Sequence, residues 1–63
     1  MKEYRVFVVL KFRDNQQDQE SRAKVVVQAK SAGHAAQLAT RFEKARLGLS
    51  SLHRVTVVKS EIY

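Results

Sequence analysis

Val25-Val26-Val27-Gln28-Ala29-Lys30-Ser31-Ala32-Gly33-His34-Ala35-Ala36-Gln37-Leu38-Ala39 is the stretch in which this chain changes its period. Before Ser31 the residues alternate: Ala23, Val25, Val27 and Ala29 fall on one parity, and Arg22, Lys24, Val26, Gln28 and Lys30 on the other. Three consecutive β-branched valines favour extended backbone, so a strand is predicted over Arg22–Lys30. After Ser31 the apolar residues Ala35, Leu38, Ala39, Phe42 and Ala45 recur at three- and four-residue steps, the spacing of one helical stripe. Gln37, Thr40, Arg41 and Lys44 take the opposite face. Ser31 is a good N-cap, because its hydroxyl accepts from free amides of the first turn. Arg41, Lys44 and Arg46 lie where the helix dipole favours cations, and Gly48 suits the residue after the helix, so a helix is predicted over Ala32–Leu47.

Working outward, Tyr4–Arg13 reads as the first strand. Tyr4, Val6, Val8, Leu10 and Phe12 form an apolar face, while Arg5, Phe7, Val9, Lys11 and Arg13 form a face apolar in the middle and charged at its ends. Apolarity on both sides marks a central strand, or one whose second face a partner covers. Asp14–Ser21 is a polar break without Gly or Pro, predicted to be a mobile hairpin loop rather than a tight type I′ turn. Leu49–Leu52 turns the chain, and His53–Lys59 is predicted as a third strand. Val55 and Val57 would face inward, Arg54, Thr56, Val58 and Ser60 outward. A right-handed crossover places strand 1 in the centre. The expected fold is α+β: a single domain over residues 1–63, β-β-α-β, with a three-stranded antiparallel sheet in order 2-1-3 and one helix packed on one face.

A chain of 63 residues buries a limited share of its surface, and having no Cys it is without disulfides or thiolate metal sites. Self-association is the remaining route to a larger core, so a homodimer is expected. Met1–Arg5 lacks the apolar run of a secretion signal, and the longest apolar run, Val6–Leu10, is too short to span a bilayer. A cytoplasmic location without membrane contact is expected. The net charge of +6 favours nucleic acid or an acidic protein as partner.

The residues for catalysis are missing. There is no Cys nucleophile, the two histidines, His34 and His53, fall on different elements, and no rigid element holds a carboxylate beside either. Gly33 and Gly48 are isolated and match no phosphate-binding loop. No catalytic residue, metal site or cofactor is expected. The candidate binding site is the sheet face away from the helix. Arg5, Lys11, Arg13, Arg22, Lys24, Lys30 and Arg54 would rim an apolar centre of Phe7, Val9, Val26 and Val58. Two readings of that centre stand: Phe7 stacks on an unpaired base, with the rim on phosphates, or the centre anchors a protein partner, with the charges as its polar rim.

The step Ala29-Lys30-Ser31, followed after two residues by His34-Ala35-Ala36-Gln37-Leu38-Ala39, lies between a hairpin and the strand Val55-Thr56-Val57. In this layout the chain resembles small β-β-α-β accessory proteins of bacteriophages, among them the phage inhibitor of host RNA polymerase, and is similar in element order to the archaeal ribosomal protein of LX type. The resemblance implies a small accessory protein that acts by binding, as a regulator or inhibitor of a host protein. The polymerase inhibitor works through an acidic contact surface where this chain is basic, so that particular function does not carry over.

Overall fold

A computed structural model describes residues 1–50 and 53–63 of the chain. Strand β1 (Lys2–Asp14) and strand β2 (Gln17–Ala29) form one long antiparallel hairpin, followed by helix α1 (Ala32–Arg46) and strand β3 (Thr56–Ile62). The sheet order is β2-β1-β3, with both neighbours antiparallel to the central strand and α1 packed across all three. This is the expected α+β layout. The expected turn over 49–52 lies partly outside the described residues.

The hairpin is the expected one, but its connection is a tight turn and not the mobile loop predicted over Asp14–Ser21. Pairing runs unbroken from Lys2↔Ala29 to Asp14↔Gln17, leaving only Asn15 and Gln16 between the strands. Both have positive φ, 51° and 65°, as a type I′ turn demands. Asn tolerates this region well, whereas Gln there carries a steric cost. The polar stretch holds as strand because its charges face opposite ones, Lys11 across from Glu20 and Arg13 across from Asp18.

Register divides the sheet into two faces. Tyr4, Val6, Val8 and Leu10 of β1, with Val25, Val27 and Ala29 of β2, turn toward α1. The core they form is small: Val6, Val8, Leu10, Val27 and Ala29 close on Ala35 and Ala39, edged by Leu38, Leu47, Leu49 and Val55. Ser31 caps the helix by accepting from the His34 amide at 3.2 Å, and Gly48 follows it at φ 69°.

The buried stripe on α1 is Ala35, Ala39 and Glu43, a four-residue step throughout. Phe42 is 54% exposed and Ala45 also lies at the surface, so both leave the expected core stripe. The stripe continues through an acid because that acid is satisfied. Glu43, 2% exposed, accepts two hydrogen bonds from the Arg46 guanidinium and one from the Ser21 hydroxyl at 3.1 Å. Arg46 is the larger influence holding the Glu43 carboxyl below the ordinary carboxylate range; burial opposes it, and Ser21 assists.

Strand β3 begins later than expected, at Thr56, and runs on through Ile62. Its register against β1 shifts by one residue between Val9 and Leu10: Leu10 pairs with Val57, Val9 with Lys59, and Val58 has no partner across the ladder. This β-bulge reverses the parity of the second half of the strand. Ser60, predicted outward, therefore lies on the helix side, where its hydroxyl reaches the Ala36 carbonyl at 3.0 Å and the Thr40 hydroxyl at 3.2 Å. Thr40, predicted on the outer helix face, is drawn into the same contact and donates to Ala36 at 2.9 Å.

Candidate functional site

The face of the sheet away from α1 is open. Along β1 it carries Glu3, Arg5, Phe7, Val9, Lys11 and Arg13, and along β2 Asp18, Glu20, Arg22, Lys24, Val26 and Gln28. The bulge then places Lys59 beside Val9, Glu61 beside Phe7 and Thr56 beside Lys11. Arg54 lines a shallow depression with Lys11, Arg13 and Thr56 at the hairpin end of this face. The register thus gathers Arg5, Lys11, Arg13, Arg22 and Lys24 with Phe7, Val9 and Val26. Lys30 stands apart in the bend between β2 and α1, and Val58 sits in the bulge, where Lys59 takes the position opposite Val9.

The apolar centre is smaller than its residue types suggest. Val9 is only 6% exposed and Phe7 is half-buried. On a central strand each is flanked on both sides: Val9 by Arg22 and Lys59, Phe7 by Lys24 and Glu61. Long charged side chains lay their methylene stems along such neighbours and keep their heads in water. The face offers charged heads over a thin apolar layer, with Val26 at one margin.

Electrostatically the face is mixed, with a basic excess. Glu3, Asp18, Glu20 and Glu61 share it with the cations. Glu20 pairs with Arg22 at 3.2 Å and Glu61 with Lys59 at 3.9 Å. Arg5, Lys11, Arg13, Lys24 and Arg54 make no ion pair among the described residues, although Glu20 and Asp18 stand opposite Lys11 and Arg13 across the ladder; Arg5, Lys24 and Arg54 have no acid opposite them.

Sequence reasoning missed Lys59, Glu61 and Tyr63. The Tyr63 amide donates to the Arg5 carbonyl at 3.0 Å, extending the ladder one residue past β3. Its ring centroid lies 5.5 Å from the Lys24 ammonium on β2, so the side chain reaches over β1 on the open face. A signal for the bulge was present: the polar residues Arg54, Thr56, Lys59 and Glu61 are spaced two, three and two apart, and the odd step falls on the Val57-Val58 pair.

Elsewhere, Arg41 and Lys44 line a groove between α1 and β3 with Thr40, Ser60 and Val57, a second basic surface on the helix side. His53 has a carboxylate nearby after all, because Asp14 ends a strand rather than floating in a loop: Asp14 Oδ1 lies 3.8 Å from His53 Nε2. His53 Nδ1 accepts the Ser50 amide at 3.0 Å and lies 3.2 Å from the Ser50 hydroxyl. With its one lone pair engaged by a backbone amide, Nδ1 closes a turn and is not set up to take a proton from Ser50. No group of three metal-ligating side chains gathers among the described residues, and none of their helices is long and apolar enough to cross a membrane. Comparison with family models, with curated proteins and with solved structures finds no match.

Proposed function

We propose that this chain is a small non-enzymatic nucleic-acid-binding protein that engages phosphates through the open face of its sheet. The observation that carries the reading is the register that sets Arg5, Lys11, Arg13 and Lys24 on one face, where none of them makes an ion pair among the described residues, with Arg54 lining a depression beside Lys11 and Arg13. Cations whose charge is not spent internally attract a polyanion, and they release its counterions on binding. The overall charge of +6 adds long-range steering toward such a partner. A chain without Cys needs no oxidising compartment, and the cytoplasm is the compartment proposed. The phage-type layout supplies a context, an accessory protein acting by binding.

The test is titration with short single- and double-stranded oligonucleotides at about 50 mM and 200 mM salt. Phosphate binding gives an affinity that falls steeply across that interval. Absence of binding at the lower salt refutes the proposal.

A second reading, a protein-binding regulator or homodimer, is favoured by the apolar exposure along β3. Val57, Val58 and Ile62 lie open on an edge strand, and such an edge pairs with another chain unless it is blocked. Light scattering decides it: a dimer mass lost on Val58→Lys supports self-association through this edge, and a monomer mass at high concentration removes it.

A further inference from the structure

We infer that the open face selects single-stranded nucleic acid, with Tyr63 as the stacking platform for an unpaired base and Lys24 as the adjoining phosphate contact; the inference rests on the nucleic-acid reading above. Tyr63 is 54% exposed, yet its backbone is pinned by the hydrogen bond to the Arg5 carbonyl. An aromatic ring on an anchored backbone at the surface loses little freedom when a base covers it. Phe7 sits on the same face, directly opposite Glu61 and two residues from the Tyr63 position, so the two residues hold diagonal positions on adjacent strands. Phe7, half-buried, supports the floor; Tyr63 offers the accessible surface.

The Lys24 ammonium, 5.5 Å from the Tyr63 ring centroid, marks where the phosphate goes. A cation over an exposed ring is weakly held. Lys24 itself is exposed, so it can turn from the ring to a phosphate as a base takes the ring face. Arg5 is the residue whose carbonyl anchors Tyr63, so its side chain brings a second cation beside the stacked base. A duplex hides its base faces inside its own stack and uses only the cations. A single strand uses both, which is the source of the selectivity.

The experiment uses the full chain with a 12-nucleotide oligodeoxythymidylate and a hairpin duplex of equal phosphate count. The chain has no Trp and two Tyr, so in a Tyr4→Phe background Tyr63 is the sole tyrosine fluorophore. The expected result is tighter binding of the single strand, quenching of Tyr63 emission by the single strand and not by the duplex, and a loss of about five- to a hundredfold in single-strand affinity for Tyr63→Ala. Tyr63→Phe retains that affinity, and duplex affinity moves little in either variant. Equal affinity for both probes, with Tyr63→Ala indistinguishable from the parent, overturns the inference and leaves the phosphate-binding reading standing. Binding of neither probe at low salt overturns both. A dimer whose mass the oligonucleotide does not change, with Tyr63 emission insensitive to either probe, assigns the face to a second copy of the chain and overturns the inference.

Discussion

Replacing Glu43 with Ala removes a charged side chain, 2% exposed, from the helix–sheet contact. The Ser21 hydrogen bond to a charged acceptor is worth about 1.5–3 kcal/mol, at the lower end here because half-buried Ser21 can take a water instead. The Cγ methylene that Ala lacks contributes about 0.8 kcal/mol through burial. Ala returns roughly 0.4 kcal/mol as the better helix former. The net cost is about 2 kcal/mol, or a fall of roughly 8–16 °C in Tm for a domain of this size. The loss depends on pH in a defined direction. The folded-state pKa of Glu43 is lowered, so its charge stabilises the fold above the unfolded value, near 4.5, and that contribution is lost as pH falls through the folded value. Thermal unfolding followed by circular dichroism, parent against Glu43→Ala at pH 7, 5 and 3, tests both parts. The Tm gap should be wide at pH 7 and 5 and narrower at pH 3. A gap under about 3 °C at pH 7, or one equally wide at pH 3, refutes the assignment of Glu43 as an ion-paired element of the core.

Gln16→Gly relieves the positive φ at the second turn position and should raise stability by about 1 kcal/mol, read as a higher denaturant midpoint with unchanged slope. Leu10→Ala, at a fully buried position, should cost about 2–5 kcal/mol, comparable with the whole stability of a small domain, so that the variant loses its cooperative thermal transition. Ser60→Ala removes the hydroxyl that ties β3 to the Ala36 carbonyl and should cost about 1 kcal/mol by chemical denaturation.

The elements that hydrophobic period defines strongly were legible in the sequence. Val6, Val8 and Leu10 fix the core parity of β1, the Val25–Val27 run fixes β2, and the Ser31 cap fixes where the helix starts. The rest turned on residues whose role is set across the sheet. Asp18 and Glu20 look like loop residues until Arg13 and Lys11 are placed opposite them. Asn15-Gln16 lacks the glycine that announces a type I′ turn, yet the long pairing on either side imposes one. Phe42 outranks Glu43 on any hydrophobicity scale, but Ser21 beneath and Arg46 one turn on make the acid the better buried residue. The Val58 bulge decides which half of β3 meets the helix, and it replaced Val58 and Ser60 on the open face with Lys59 and Glu61. The candidate site kept its basic character through that exchange while its apolar centre shrank, since Val9, between Arg22 and Lys59, is only 6% exposed.

On the proposed function, phosphates are met on the open face and not on the helix side. The direct measurement is the salt dependence of oligonucleotide affinity for two charge variants: Arg5→Gln with Lys11→Gln and Lys24→Gln on the open face, and Arg41→Gln with Lys44→Gln on the groove between α1 and β3. For single strands, each lost phosphate contact lowers the slope of log affinity against log salt by about 0.7, so the open-face variant should lose about 2 units of slope and the groove variant essentially none. A slope unchanged in the open-face variant but reduced in the groove variant would contradict the account.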